Sequence, residues 1–173
     1  MRLIVSTICL FIASIACGDI YQWYDGDGDG SLWLSSSQAE PYSDLSSQVL
    51  WWADLQNENL VHANLSASNL SYANLFNSNL ENSDLAYTNF MGANLRSTNM
   101  NNANMFFADF SDSNLFEIEN WENAFWLASK YTQNTIFPTG MDPDEFGMVE
   151  VEVPAPGILS VIGIGFALHR RRR

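Results

Sequence analysis

The sequence predicts a repeat rod, a chain that turns every five residues, and three observations carry that prediction. Large apolar residues recur at every fifth position through the middle of the chain. A small residue stands two places before most of them, and Asn or Asp one place before nearly all. All six tryptophans, Trp23, Trp33, Trp51, Trp52, Trp121 and Trp126, lie outside residues 53–117, where the pattern is unbroken. A period of five matches neither the helix, at about 3.6, nor the strand, at about 2. A surface helix and a hairpin array are therefore excluded. The 173 residues are one domain's worth of chain, and 47% hydrophobic content is enough for a core.

From Ala53 the chain falls into 13 consecutive pentads, ADLQN, ENLVH, ANLSA, SNLSY and onward to SNLFE. SDLSS from Ser43 and QVLWW from Gln48 keep the same register and make 15. The third position is always large and apolar, usually Leu, with Phe90, Met100, Met105 and Phe110 as variants. Within the 13, the first position is Ala, Ser or Thr except at Glu58, and the second is always Asn or Asp. The side chains of Asn and Asp bond to nearby backbone and tolerate unusual dihedrals, which suits a chain that turns this often.

The A(N/D)LXX pattern resembles that of the pentapeptide repeat family, over about half the chain. The resemblance implies an all-β fold, a right-handed quadrilateral β-helix with four pentads per coil and with first and third positions facing inward. At a coil spacing of ~4.8 Å, 15 pentads make about four coils. Position n then lies beneath n+20, which predicts core columns Leu55-Leu75-Leu95-Leu115, Leu60-Leu80-Met100, Leu65-Leu85-Met105-Phe125 and Leu70-Phe90-Phe110. The small first position follows, because a narrow square interior has no volume left beside the large third-position side chains. Glu58 breaks that rule and is expected to point outward from a frayed first coil.

A solenoid exposes apolar faces and unpaired backbone at its ends, so caps are required. Residues 19–42 are expected as the N-terminal cap, 43–117 as the β-helix and 118–137 as the C-terminal cap. In the last of these, Ile118, Trp121, Phe125 and Trp126 would close the final coil. Residues 138–153, rich in Pro, Gly and acids, read as an acidic linker.

The two ends read as addresses. Residues 1–18 place Arg2 before an apolar stretch and then small residues, the layout of a secretory signal peptide. Cys17 sits where a lipoprotein cysteine would, although Ser14 stands where that signal has a branched aliphatic residue. Residues 154–173 carry Pro154 and Pro156, an apolar run, and Arg170, Arg171, Arg172 and Arg173. This segment resembles a PEP-CTERM sorting signal, which implies processing by an exosortase-like enzyme and membrane contact before cleavage. It departs from the pattern in having Pro-Ala-Pro where Glu is usual, and in its short apolar run. Export to the cell envelope, surface or medium is expected, with the export machinery as a partner.

The net charge is −13. Residues 19–153 hold all 20 acids against only Arg96 and Lys130, a balance of −18. Such a surface repels nucleic acid, which selects basic stripes. Asp25, Asp27 and Asp29 alternate with glycine as in the first half of a calcium loop, but Ser36 stands where the bidentate Glu belongs. Two readings stay open there: a weak calcium site, or a polar turn joining two short cap strands. No other cofactor is implied.

One outward face gains apolar character toward the C-terminus: Ser66 and Ala67, then Ala86 and Tyr87, then Phe106 and Phe107, then Trp126 and Leu127. Tyr87, Phe106, Phe107 and Trp126 are the candidate interface, for a second copy or for a protein or matrix partner. The alternative is that residues 128–153 fold back over this face. No catalytic constellation is visible. His62 is the only histidine before the sorting tail, and no nucleophile elbow or Walker loop is present. The expected function is a non-catalytic structural or interaction module. The competing reading, also from the family resemblance, is an acidic DNA mimic acting on DNA gyrase, which the export signals disfavour.

Overall fold

The structure is a computed structural model and describes residues 19–22 and 33–153. The signal segment 1–18 with Cys17, the Asp25, Asp27 and Asp29 turn, and the sorting segment with Pro154, Pro156 and Arg170 to Arg173 lie outside the described residues.

Each pentad makes one side and one corner of a four-sided coil. In the pentad ending at Tyr72, the Ala73 amide donates to the Leu70 carbonyl at 3.0 Å and closes a tight turn over Ser71 and Tyr72. Tyr72, at the fifth position, has a φ of 59°. The same left-handed backbone recurs at the fifth position from Tyr42 to Glu117, including Asn57, His62, Ala67, Tyr87 and Phe107. The unusual dihedral thus belongs to the fifth residue and not to the second-position Asn or Asp. What the second residue does is bond locally: Asn64 Oδ1 accepts from the Ser66 amide at 3.1 Å, and Asn89 Oδ1 from the Met91 amide at 2.9 Å.

Coils are joined in parallel with a 20-residue step, as in Asp44↔Asn64 and Asn64↔Asp84. Backbone bonds run both ways between coils. The Leu75 amide donates to the Asn94 carbonyl at 2.8 Å, and the Asn94 amide to the Ala73 carbonyl at 2.9 Å. Second-position side chains add a ladder, Asn94 Nδ2 to Asn74 Oδ1 at 3.0 Å and Asn99 Nδ2 to Asn79 Oδ1 at 3.0 Å.

The interior is filled by the third positions. Leu55, Leu75, Leu95, Leu115, Leu70, Phe90 and Phe110 are all buried. Phe90 and Phe110 stack at 5.2 Å, 7° from parallel. Each fully buried leucine contributes ~1.5–3 kcal/mol of transfer free energy. First-position hydroxyls are also inside, and most bond to carbonyls: Ser68 to Leu65 at 2.6 Å, Thr88 to Leu65 at 2.8 Å and Thr98 to Leu75 at 2.8 Å. Glu58 is half-buried instead of turned out from a frayed end. Its partial burial, and then the nearby Asp54 carboxylate, raise its pKa above the ordinary carboxylate value.

The stack is deeper than the unbroken pentads predict. The rungs continue through Asn104↔Phe125, Asp109↔Lys130 and Asn114↔Ile136, so three sides carry a fifth rung. The register shifts on the way. Leu85 bonds to the carbonyl 19 residues on, Met105 to the one 20 on, and Leu115 to the one 21 on. Two single residues have been inserted. A 3-10 turn, Trp121–Asn123, absorbs the first, and the turn closed by the Thr135 amide on the Thr132 carbonyl absorbs the second. Both extra asparagines reach back to the preceding coil, Asn123 Nδ2 to Asn101 Oδ1 at 3.0 Å and Asn134 Nδ2 to Asp112 Oδ1 at 3.0 Å.

The first insertion corrects two expectations. Trp126, expected on the outer face, is 1% exposed and lies in the core beside Phe110, with ring centroids 5.4 Å apart. Phe125, expected in the core, faces out. Residues 118–137 are therefore largely a further coil and not a separate cap.

The ends are closed by added strands. Strand β1 (Asp19–Gln22) pairs antiparallel with β2 (Trp33–Gln38) and with β3 (Ala53–Asp54), so a hairpin covers one edge of the first coil. In sequence, β1 and β2 lie on either side of the Asp/Gly segment. At the other end β4 (Lys130–Tyr131) pairs parallel with β5 (Val149–Glu150), and the Val151 amide donates to the Tyr131 carbonyl at 2.7 Å. The stretch expected as a free acidic linker is thus bonded to the solenoid. Trp121, Tyr131, Phe137 and Phe146 pack over the core end with Met141 and Met148. Asp144 and Glu150 gather around Tyr131, whose pKa is raised first by burial and then by those carboxylates.

Candidate interaction surface

Because fifth positions recur every 20 residues at the same corner, their side chains form columns up each edge of the rod. Four of these columns differ in chemistry. At one edge Tyr42 stacks on His62 at 4.8 Å and then gives way to Asn82 and Asn102, joined by a 3.3 Å hydrogen bond. At a second, Trp52 stacks on Tyr72 at 4.9 Å, and the Tyr72 ring lies against Gly92. A third holds Asn57 and Asn77, bonded at 2.9 Å. Beside it the fourth-position Arg96 lies 5.4 Å from the Phe116 ring centroid and 3.4 Å from Glu117.

The remaining edge carries Tyr87 stacked on Phe107 at 5.3 Å, with Phe106 edge-on to both at 6.2 and 4.3 Å. Tyr87 is 60% exposed, Phe107 41%, Phe125 63% and Leu127 59%. Leu127 is one rung above Phe106, since the Phe107 amide donates to the Leu127 carbonyl. The predicted trio Tyr87, Phe106 and Phe107 therefore stands together on the surface, while Leu127 takes the place expected of Trp126 and Phe125 lies in the adjacent column, above Asn104. The returning chain does come close, at Gly147, where a Cβ would meet Leu127 Cδ1 at 2.9 Å. It leaves the aromatic edge uncovered.

This surface is flanked by Asp84 on one side and Asp109 on the other, the second positions bordering the Tyr87 corner. Asp112, on the next corner, has its carboxyl held below the ordinary range by hydrogen bonds from Asn134 and then Thr132. Among the described residues no group of three or more His, Cys, Asp or Glu is arranged to hold a metal ion. Among the described residues, too, no helix is long and apolar enough to cross a membrane.

A four-sided coil of 20 residues, stacked in parallel with leucine columns inside, defines the class: a β-helical repeat rod. The Pentapeptide repeats family matches residues 43–82 and 73–112, in 8 copies. Residues 43–112 are thus pentapeptide repeats, and such repeats form a right-handed quadrilateral β-helix. A pentapeptide repeat protein from Nostoc PCC 7120 is 27% identical over 62% of this chain and 84% of its own, with a TM-score of 0.56. A pentapeptide repeat protein of the Arabidopsis thaliana thylakoid lumen shares the fold, at 20% identity over 63% of this chain and 73% of its own, TM-score 0.51. Full-length QnrB1, a plasmid-mediated fluoroquinolone resistance protein, is 16% identical over 69% of this chain and 66% of its own, with a TM-score of only 0.26. Comparison with curated proteins gave no match.

Proposed function

We propose that this protein is an exported, non-catalytic interaction module, a rigid acidic rod that presents its Tyr87–Phe107 edge to a protein or matrix partner at the bacterial envelope or outside it. The observation that carries the reading is that edge: contiguous exposed aromatic surface on a rod whose interior is already filled by its third-position residues. Pentapeptide repeat proteins are generally non-catalytic structural modules, in keeping with this. Export rests on residues 1–18 and 154–173, which read as a signal peptide and as a sorting segment with an Arg block. The gyrase reading is not adopted, because those same segments direct the chain away from the cytoplasm and the QnrB1 likeness is too distant to support it.

The test is mass spectrometry of the native protein from separated cytoplasmic, envelope and medium fractions, following both terminal peptides. Loss of residues 1–18 and of the Arg block, in envelope or medium, is the expected result. A full-length chain confined to the cytoplasm would overturn the export half of the proposal.

A further inference from the structure

Resting on the interaction-module reading, we infer that the edge formed by Tyr87, Phe106, Phe107, Phe125 and Leu127 docks a cationic, apolar segment of another protein. The centre of the surface is aromatic, and aromatic residues are those that most often dominate binding energy when desolvated. Its flanks are carboxylates, Asp84 and Asp109, standing where the adjoining coils carry the neutral Asn64 and Asn104 in one column and Asn89 in the other. Among the described residues the only cation close by is Lys130, one rung above Asp109. An apolar centre with an acidic rim is complementary to a segment that alternates apolar side chains with Lys or Arg. The rim then sets orientation and association rate, and the aromatic centre supplies retention.

The same charge decides against other occupants. A second copy would bring together two rods that each carry −18 over residues 19–153. An anionic lipid surface or a nucleic acid would be repelled for the same reason. The register insertion strengthens the assignment. It sets Leu127 one rung above Phe106 and turns Phe125 outward beside it, above Asn104, while Trp126 fills the core.

The test uses the full chain and four short labelled peptides, Leu/Arg, Leu/Glu, Ser/Arg and Leu/Ser, titrated by fluorescence anisotropy at low and high salt. The expected result is binding of the Leu/Arg peptide alone, weakened at high salt. Phe107→Ser and Phe125→Ser should each lower its affinity by about tenfold or more. The double change Asp84→Asn and Asp109→Asn should weaken binding at low salt and flatten the salt dependence. Asn is the ordinary second-position residue, so that variant keeps the fold, and cooperative thermal unfolding of every variant well above the assay temperature is the control. Equal binding of Ser/Arg and Leu/Arg, indifferent to Phe107→Ser, would overturn the inference by showing bare charge attraction. Concentration-dependent dimerisation abolished by Phe107→Ser would overturn it in favour of a second copy. A processed, exported chain that binds none of the peptides removes this inference and leaves the module reading intact, whereas a cytoplasmic full-length chain removes the export reading whatever the peptides do.

Discussion

Gly92 is the fifth-position residue on which the Trp52–Tyr72 column ends, and Gly92→Ala tests how that edge is built. Its φ is +67°, and an added Cβ would meet the Tyr72 ring at 2.5 Å from Cε1 and 2.6 Å from Cδ1. Alanine in left-handed backbone costs ~1–2 kcal/mol. The ring must also move, which sacrifices its stack on Trp52, 4.9 Å away and 16° from parallel; such a stack is worth ~0.5–1.5 kcal/mol. Gly92→Ala should therefore destabilise by about 1.5–3.5 kcal/mol, the sum of the two effects. In a Tyr72→Ala background the obstacle is gone and only the backbone cost of ~1–2 kcal/mol remains. Urea unfolding of the four members of this cycle, followed by far-ultraviolet circular dichroism, measures the difference. An equal cost in both backgrounds would refute the steric half of the argument. No cost in either would refute the backbone half, and with it the claim that fifth positions bear strain.

Asp109→Asn should stabilise the rod by ~0.5–1.5 kcal/mol, because the new Nδ2 can donate to Asn89 Oδ1, which now accepts only from the Met91 amide; urea unfolding at neutral pH reads it, and a loss of stability would count against the ladder as a source of stability. Trp126→Ala should cost ~3–5 kcal/mol and Phe125→Ala within about 0.5, and the reverse order by the same assay would mean the register shift is misplaced. Leu75→Ala, at the centre of a buried column, should cost ~2–5 kcal/mol by chemical denaturation, and a cost under about 1 would be inconsistent with a close-packed interior. Glu58 has a folded-state pKa above its unfolded value, so the native state holds its proton more tightly. Stability then falls as pH rises from the unfolded toward the folded pKa. Glu58→Gln should accordingly stabilise at neutral pH, with the gain vanishing below the ordinary carboxylate range, and a gain that persists in acid would point to a cause other than its charge.

The regular part of the fold was legible because each third-position residue reports its own burial. Leu55 through Leu115 keep one register, and a strict 20-residue step places every one of them inside. The step fails where one residue is added, and the unbroken pentads hold no warning of that. Counting 20 from Met105 lands on Phe125, whereas the chain places Trp126 there. A signal did exist. After Asn123 the pattern of a small residue followed two places later by a large ring resumes, as Ala124 and Trp126, then Ser129 and Tyr131, and after Asn134 as Thr135 and Phe137. Aromatic residues at third positions in place of Leu hid the repeat. The return of residues 147–151 onto β4 could not be read from periodicity at all, since it depends on where a loop of 138–146 happens to end. Of the surface, Tyr87, Phe106 and Phe107 followed from the coil step alone, and Phe125 was lost with the register.

The aromatic edge is hard to account for as structure alone. A fifth position favours Asn or Gly, for which left-handed backbone is inexpensive. Asn82 and Asn102 show the economical solution, joined by a hydrogen bond from one coil to the next. Tyr87 and Phe107, at φ of 60° and 58°, forgo it. Two bulky residues in that conformation cost ~2–4 kcal/mol together, and their mutual stack with the two edge contacts to Phe106 does little more than offset it, at ~0.5–1.5 each. Exposed rings recover little further by burial, since Tyr87 and Phe107 remain in contact with solvent. Folding stability would be served better by asparagine at both places. A local rule broken for no net gain, on a surface that none of the described residues covers, is where a demand other than stability is expected to act. Replacing both rings by Asn should therefore raise the stability of the free protein while abolishing capture of its partner. A rod that loses stability on that double replacement would show that the rings are held for folding, and the docking argument would lose its physical basis.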